Sequence, residues 1–287
     1  MTNGNICYTA KMKFILLIFI PLQLFSVECK NSEKVIQLGG DKSTKTHLVV
    51  GAPKDFVKPP RLIKILPYKN FVIGYSTKSM TPLWAQYRTK NLDLTCTKTH
   101  RPTGKFYCDP RIIKNHRCTH DDYKDVHCNR HKSRYNPRKC LAKGHLAPNS
   151  LFGCSEKDAK ATFITTNIAP QIQNGFNGGI WRSLEQKVKK CARKRDLTVI
   201  TGVIQGNKRL NNKPAIPYSF YKIIFDHKSG ENINFLMKNV PHKKRKDFSP
   251  YIRSLKKLET LTGFKYLINT KINKNKLGKL KNWPCIK

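Results

Sequence analysis

Cys140-Leu-Ala-Lys-Gly-His-Leu-Ala-Pro148 is followed by Thr166-Asn-Ile-Ala-Pro-Gln171 and then by Asn177-Gly-Gly-Ile-Trp-Arg-Ser-Leu-Glu185. In the first segment a His stands beside Gly and Lys, ahead of a Pro-closed turn. His titrates near neutral pH and can take a proton from water. Gly144 lets backbone approach a ligand closely, and Lys143 can hold a phosphate as a point charge. Alone, Lys143-Gly144-His145 reads as a structural loop. The third segment adds oxygen donors. Spaced by four, Asn177, Trp181 and Glu185 share one helix face. Positions i and i+8 differ by about 12 Å of helix rise. Asn177 and Glu185 therefore do not easily ligate one ion directly: either Asn177 sits at the helix entrance or Glu185 acts through water. Amide and carboxylate oxygens suit a hard cation such as magnesium, which keeps several waters.

Outward from these segments, a helix is expected from about Gly179 to Arg193, with Ile180, Leu184, Val188 and Ala192 as an i, i+4 apolar stripe facing the core. Strands are expected at Phe71–Tyr75 and Pro82–Arg88, paired across a polar turn at Ser76–Thr81, and at Phe163–Thr166 and Leu197–Ile204. Tyr218–Phe225 and Ile233–Met237 flank a hairpin turn at His227–Glu231. Val35-Ile-Gln-Leu38 and Leu48-Val-Val50 read as short strands. A second helix is expected over Ser249–Leu261, stopped by Gly263. Residues 92–140 carry little apolar periodicity and are rich in Cys, His and basic residues, so disulfides should hold them. The class is α+β, one domain with an antiparallel sheet flanked by helices and disulfide-stapled loops.

The chain has 287 residues, enough for a substantial core. Its 56 Lys and Arg against 17 Asp and Glu give a formal net charge of +39. Solubility needs far less charge. The excess favours polyanionic partners: nucleic acid, heparin-like glycans or an anionic membrane surface. Lys11 and Lys13 precede the apolar run Phe14–Ile20, which is too short to span a bilayer and reads as a secretion leader over residues 1–29. Of ten cysteines, Cys7 and Cys29 fall in or beside that leader. The other eight form an even set, which suggests disulfides in a secreted chain and favours cleavage after Cys29. Eight cysteines allow 105 pairings, and none is assigned.

Taken together and in this order, the three segments resemble the DNA/RNA non-specific endonucleases, the ββα-metal or His-Me finger nucleases. The family hallmarks Asp-Arg-Gly-His, Asn-x-x-Pro-Gln and Asn-x-x-x-Trp-x-x-Leu-Glu fall on Ala142–His145, Asn167–Gln171 and Asn177–Glu185. The resemblance runs from about Asn70 to Leu267, and the leader and cysteine pattern are similar to its secreted arthropod branch. It implies an N-terminal extension at 30–69, a non-specific endonuclease domain at 70–270 and a basic tail at 271–287. It further implies His145 as the general base, Lys143 in place of the phosphate-binding Arg, and Asn177 as the direct ligand to magnesium, with manganese an alternative. Glu185 would hold metal-bound water, Asn167 would support the site, and Trp181 would pack behind it. The expected partner is DNA and/or RNA, met independently of sequence by an extracellular protein with no stable membrane association.

Two departures stand out. The family Asp is Ala142, which removes a hydrogen-bonding anchor. The family Arg is Lys143, which keeps the charge but loses bidentate geometry. The spacer before Asn177 is also one residue longer than in the endonuclease G branch. A second phosphate-binding basic residue is implied upstream, with Lys105, Arg111 and Arg134 as candidates. Three rivals remain: a catalytically weakened nucleic-acid binder on the same fold, a heparin- or membrane-binding secreted protein, and a zinc site in Cys118-x-His120 and His127-Cys128-x-x-His131, whose spacing matches no established pattern. The basic runs Lys187–Arg195 and His242–Lys246 suit phosphate contact.

Overall fold

The structure, a computed structural model, describes residues 38–90, 92–96, 98–102, 106–131, 133–243 and 247–286. The expected leader, Cys7, Cys29 and most of the Val35–Leu38 segment lie outside them. In chain order the strands are β1 (Lys54–Asp55), β2 (Ile63–Pro67), β3 (Val72–Ser76), β4 (Thr81–Arg88), β5 (Leu141–His145), β6 (Ile168–Ile172), β7 (Leu197–Arg209), β8 (Ala215–Asp226), β9 (Asn232–Lys238) and β10 (Phe264–Lys265). An antiparallel sheet of six strands runs in the order β2-β3-β4-β7-β8-β9. β5 and β6 form a separate antiparallel pair, and β1 pairs with β10.

The apolar runs in β7 and β8 are continuous because both sheet faces are covered. Val199, Val203, Phe220 and Ile224 face one core, with Ile180, Leu184 and Val188 of the site layer. Ile200, Tyr221 and Ile223 face the other, with Leu255 and Leu258. The stripe Ile180, Leu184, Val188 and Ala192 is buried throughout. Each large apolar side chain so covered contributes about 1.5–3 kcal/mol. β2 extends the sheet at its edge, and Trp283 and Ile286 enter the larger core. Sheet and core thus draw on residues either side of 70–270.

Several local expectations change. Residues 48–50 form no strand: a helix at Asp41–His47 ends there, and Leu48 is its C-cap. The strand expected at Phe163–Thr166 lies further on, at β6, because Thr165–Asn167 form a turn of 3-10 helix. The Ser249–Leu261 helix is broken. Ser249–Tyr251 is a 3-10 turn, Ile252 bridges to Phe235, and the α-helix is Leu255–Thr262. Ser254 caps that helix by accepting from Lys257 N–H, and Gly263 ends it in the left-handed region at φ 73°.

Disulfides join Cys96 to Cys154, Cys128 to Cys140 and Cys191 to Cys285, and Cys108 is also disulfide-bonded. Cys118 is a buried free thiol, donating to Met80 O at 3.4 Å. The even count of eight therefore does not resolve into four internal pairs, and it loses its force as an argument about the cleavage point.

Candidate active site

β5 and β6 pair in register from Leu141 against Ile172 to His145 against Ile168. Alternation along β5 sends Lys143 and His145 to one side, and both line a cleft of about 1150 Å³. Gly144 on the other side is required by close packing: a Cβ there would come within 2.3 Å of Gln171 Oε1. Asn167, wholly buried, clamps the backbone just past His145. Its Oδ1 accepts from Ala147 N–H at 2.9 Å, and its Nδ2 donates to Ala147 O and Thr162 O, both at 2.9 Å. It therefore positions the end of β5 and does not line the cleft.

His145 packs edge-on against Phe163 and near Phe106, with centroids at 4.9 and 5.6 Å. The residue as a whole is only partly covered, yet its Nε2 is sealed off with no hydrogen-bond partner. Burial, seconded by the Arg101 charge, pushes its pKa down to about 3. The ring is therefore neutral at physiological pH, the state in which imidazole accepts a proton.

The helix carrying the oxygen donors is not one continuous helix. A wide, kinked segment spans Gln173–Trp181, with non-helical backbone at Asn174, Gly175 and Gly179, and the regular α-helix is Arg182–Ala192. The shared face expected for Asn177, Trp181 and Glu185 is thus broken at Gly179. Asn177 lies at the helix entrance, and it lines the same cleft as Glu185 and His145. Asn177 Nδ2 donates to Gln173 Oε1 at 2.8 Å, which orients the amide and commits its nitrogen. Trp181 is buried behind the site, and its indole N–H faces the Glu185 carboxyl, favouring the charged form.

Behind Glu185 lies Lys222 of β8, wholly buried. Its Nζ donates to Thr201 Oγ1 at 2.7 Å and sits 4.7 Å over the Trp181 ring. Burial raises the Glu185 carboxyl, and the Lys222 charge opposes that rise most strongly. Burial also lowers the Lys222 ammonium, opposed by Glu185. A carboxylate and an amide oxygen in one cleft suit a hard divalent cation that keeps its waters. Among the described residues no group of three or more His, Cys, Asp or Glu side chains could hold a metal. Cys128 of the Cys/His cluster is committed to its disulfide.

Arg101, Lys124, Arg134, Lys143 and Arg182 line the cleft, against Asp125 and Glu185. Asp125 is occupied, accepting from His127 N–H at 3.0 Å and Leu141 N–H at 2.7 Å. The cleft wall is therefore strongly positive, and partial burial lowers the Lys143 pKa. Of the candidates for a second phosphate binder, Arg134 lines the cleft and Lys105 is outside the described residues. Arg111 is spent elsewhere: its Nε and Nη2 grip Asp109 at 3.0 and 2.7 Å, and Nη1 donates to Pro67 O at 3.0 Å. Arg101 was not expected from sequence. Its loop is placed by the Cys96–Cys154 disulfide and by His100 N–H to Gly153 O at 2.7 Å, and neither leaves a local signal. Lys222 likewise sits in a recognised strand with nothing to mark it.

A family model described as DNA/RNA non-specific endonuclease matches residues 57–273. The chain is 29% identical to a salivary endonuclease of Lutzomyia longipalpis over 201 residues, which cover 62% of this chain and 48% of that protein. The match thus spans about half of that relative's length. It is 26% identical to Nuclease C1 of Cunninghamella echinulata, covering 68% and 70%, and 22% identical to mitochondrial endonuclease G of Bos taurus, covering 76% and 75%. EndoG in its crystal complex with EndoGI superposes with a TM-score of 0.65 at 19% identity, over 81% of this chain and 94% of that one. At that identity the likeness speaks for the fold.

Proposed function

The chain belongs to the DNA/RNA non-specific endonuclease family, and from that membership we propose that it is a secreted, magnesium-dependent enzyme hydrolysing phosphodiester bonds of DNA and/or RNA without regard to sequence. The observation that carries this reading is that His145, Asn177 and Glu185 line one cationic cleft. His145 takes the proton from the attacking water. Lys143, Arg101 and Arg134 hold the substrate phosphate as charges in the wall. Asn167 fixes the strand end from which His145 projects. Asn177 and Glu185 are the residues that would hold magnesium, which would offset negative charge on the phosphate and the leaving oxygen. Lys222 and Trp181 form the floor that keeps Glu185 in place. Residues 1–29 act as the leader and 70–270 as the endonuclease domain. The disulfides and the salivary relative support an extracellular setting.

Plasmid DNA and RNA, each incubated in magnesium and in EDTA, test the proposal. Cutting in magnesium alone is the expected result, and the His145→Ala protein should lose it by about 10²–10⁴-fold. Full activity in that variant would refute the general-base role. One observation favours a second reading, a weakened enzyme retained as a nucleic-acid binder. Gln171 pairs across the strands with Ala142, and its buried amide has no hydrogen-bond partner at either end. The family Asp at that position is missing, and so is any acceptor it could offer. This reading expects a gel shift with little cutting.

A further inference from the structure

The Cys128–Cys140 disulfide joins residues 12 apart in sequence. The enclosed stretch holds Arg130, His131, Lys132, Arg134, Arg138 and Lys139, and no Asp or Glu. Arg130, Arg134, Arg138 and Lys139 are exposed. Among the described residues none of them pairs with an acidic side chain. The loop is also anchored to both halves of the site. Cys140 O accepts from Gln173 N–H at 2.8 Å, and Asn174 Nδ2 donates to Pro137 O at 3.0 Å. These bonds tie it to the segment bearing Asn177, and Cys140 runs directly into β5. Its base forms part of the cleft wall through Cys128, Asn129, Ser133, Arg134 and Cys140. Exposed basic residues in a polycation are usually only solvated. Here the charge is concentrated, free of acid, closed by a covalent bond and fixed beside the catalytic strand. Closure lowers the entropy lost when such a loop grips a ligand.

We propose that this disulfide-closed loop is a nucleic-acid arm, in which Arg130, Arg138 and Lys139 contact backbone phosphates flanking the one held in the cleft. The proposal rests on the cleft being a phosphodiesterase site. Such contacts add affinity without sequence preference and release counterions, so they leave a signature in salt dependence. The test compares the wild type with Arg130→Gln/Arg138→Gln/Lys139→Gln, and with a charge-matched control, Lys42→Gln/Lys45→Gln/Lys64→Gln, whose exposed positions lie outside the cleft wall. Binding of a fluorescein-labelled DNA duplex is followed by anisotropy in EDTA over a range of salt. The loop variant should lose at least about tenfold in affinity, and its plot of log K against log salt should become shallower by roughly 2–3 units, about 0.9 for each lost contact. The control should stay close to wild type. A loop variant no weaker and no shallower than the control would overturn the proposal. A wild-type protein that binds the duplex but leaves it uncut in magnesium would overturn the hydrolase reading alone, because the loop's effect is read on binding.

Discussion

His145 shows how one residue's surroundings set both its chemistry and its cost to the fold. Packed against Phe163 and Phe106, with its Nε2 sealed off, it is pushed from an ordinary pKa of 6.5 down to about 3. Between those values the unfolded chain binds a proton that the folded chain refuses. Stability therefore rises with pH across the window and falls as pH is lowered through it, by at most about 1.4 kcal/mol per pH unit. His145→Gln removes this contribution, so its denaturant midpoint should drop less between pH 7 and pH 5 than that of the wild type. An identical drop in both proteins would mean that His145 is not held neutral. A ring held neutral can accept a proton, the state that the proposed general-base role requires. The neighbouring defect points the other way. Gln171 has two unpartnered polar atoms, and an unsatisfied buried group costs roughly 1–3 kcal/mol. Ala142→Asp combined with Lys143→Arg should raise turnover on plasmid DNA if the missing anchor limits the enzyme. Unchanged turnover would remove those two positions as the cause of any weak activity.

At the scale of elements, what the sequence made legible was whatever depends on local periodicity. The stripe Ile180-Leu184-Val188-Ala192 faces the core as spaced, and Leu184→Ala should cost about 2–5 kcal/mol, read as a lowered denaturation midpoint. A loss under about 1 kcal/mol would mean that the helix does not depend on this contact. The strands β3, β4, β7, β8 and β9 were also readable, because two-sided burial makes apolar runs and the turns between them are polar. Where tertiary bonds override propensity, the reading failed. Asn167 draws the chain into a 3-10 turn by holding Ala147 and Thr162, so the apolar Phe163-Ile164 does not begin a strand. Ile252 leaves its helical spacing to bridge Phe235. The kink at Gln173–Trp181 puts Asn177 at the mouth of the cleft, which a regular-helix projection could only leave open. Arg101 was invisible because a disulfide between distant cysteines places it. The Cys191–Cys285 bond, 94 residues apart, carries a similar long-range duty: it ties the C-terminal segment to the Arg182–Ala192 helix. For a loop of that length the chain-entropy model gives about 4–5 kcal/mol. Cys191→Ser/Cys285→Ser should accordingly melt well below the wild type, and an unchanged melting temperature would show that the core contacts of Trp283 and Ile286 suffice without it.

For the whole molecule, fold and charge answer different questions. The fold is shared with EndoG at a TM-score of 0.65, and the central sheet carries the β5–β6 pair and the kinked segment against one face. The net charge of +39 says nothing about that arrangement but decides what reaches it. A field of that size draws in any polyanion, which is why a heparin-binding reading has the same electrostatic support as a nuclease reading. They separate on where the affinity comes from. If diffuse charge alone governs binding, heparin and DNA of matched charge density should compete equally, and magnesium should not distinguish them. If the cleft grips a phosphodiester through Lys143, Arg101, Arg134 and a metal held at Asn177, divalent cation should tighten DNA relative to heparin in the His145→Ala protein, which binds without cutting. Competition anisotropy with and without magnesium reads this directly. A selective gain for DNA that Asn177→Ala abolishes is the expected result. Equal competition under both conditions would reduce the cleft to one basic surface among several, and the specificity of this protein would then have to be sought outside it.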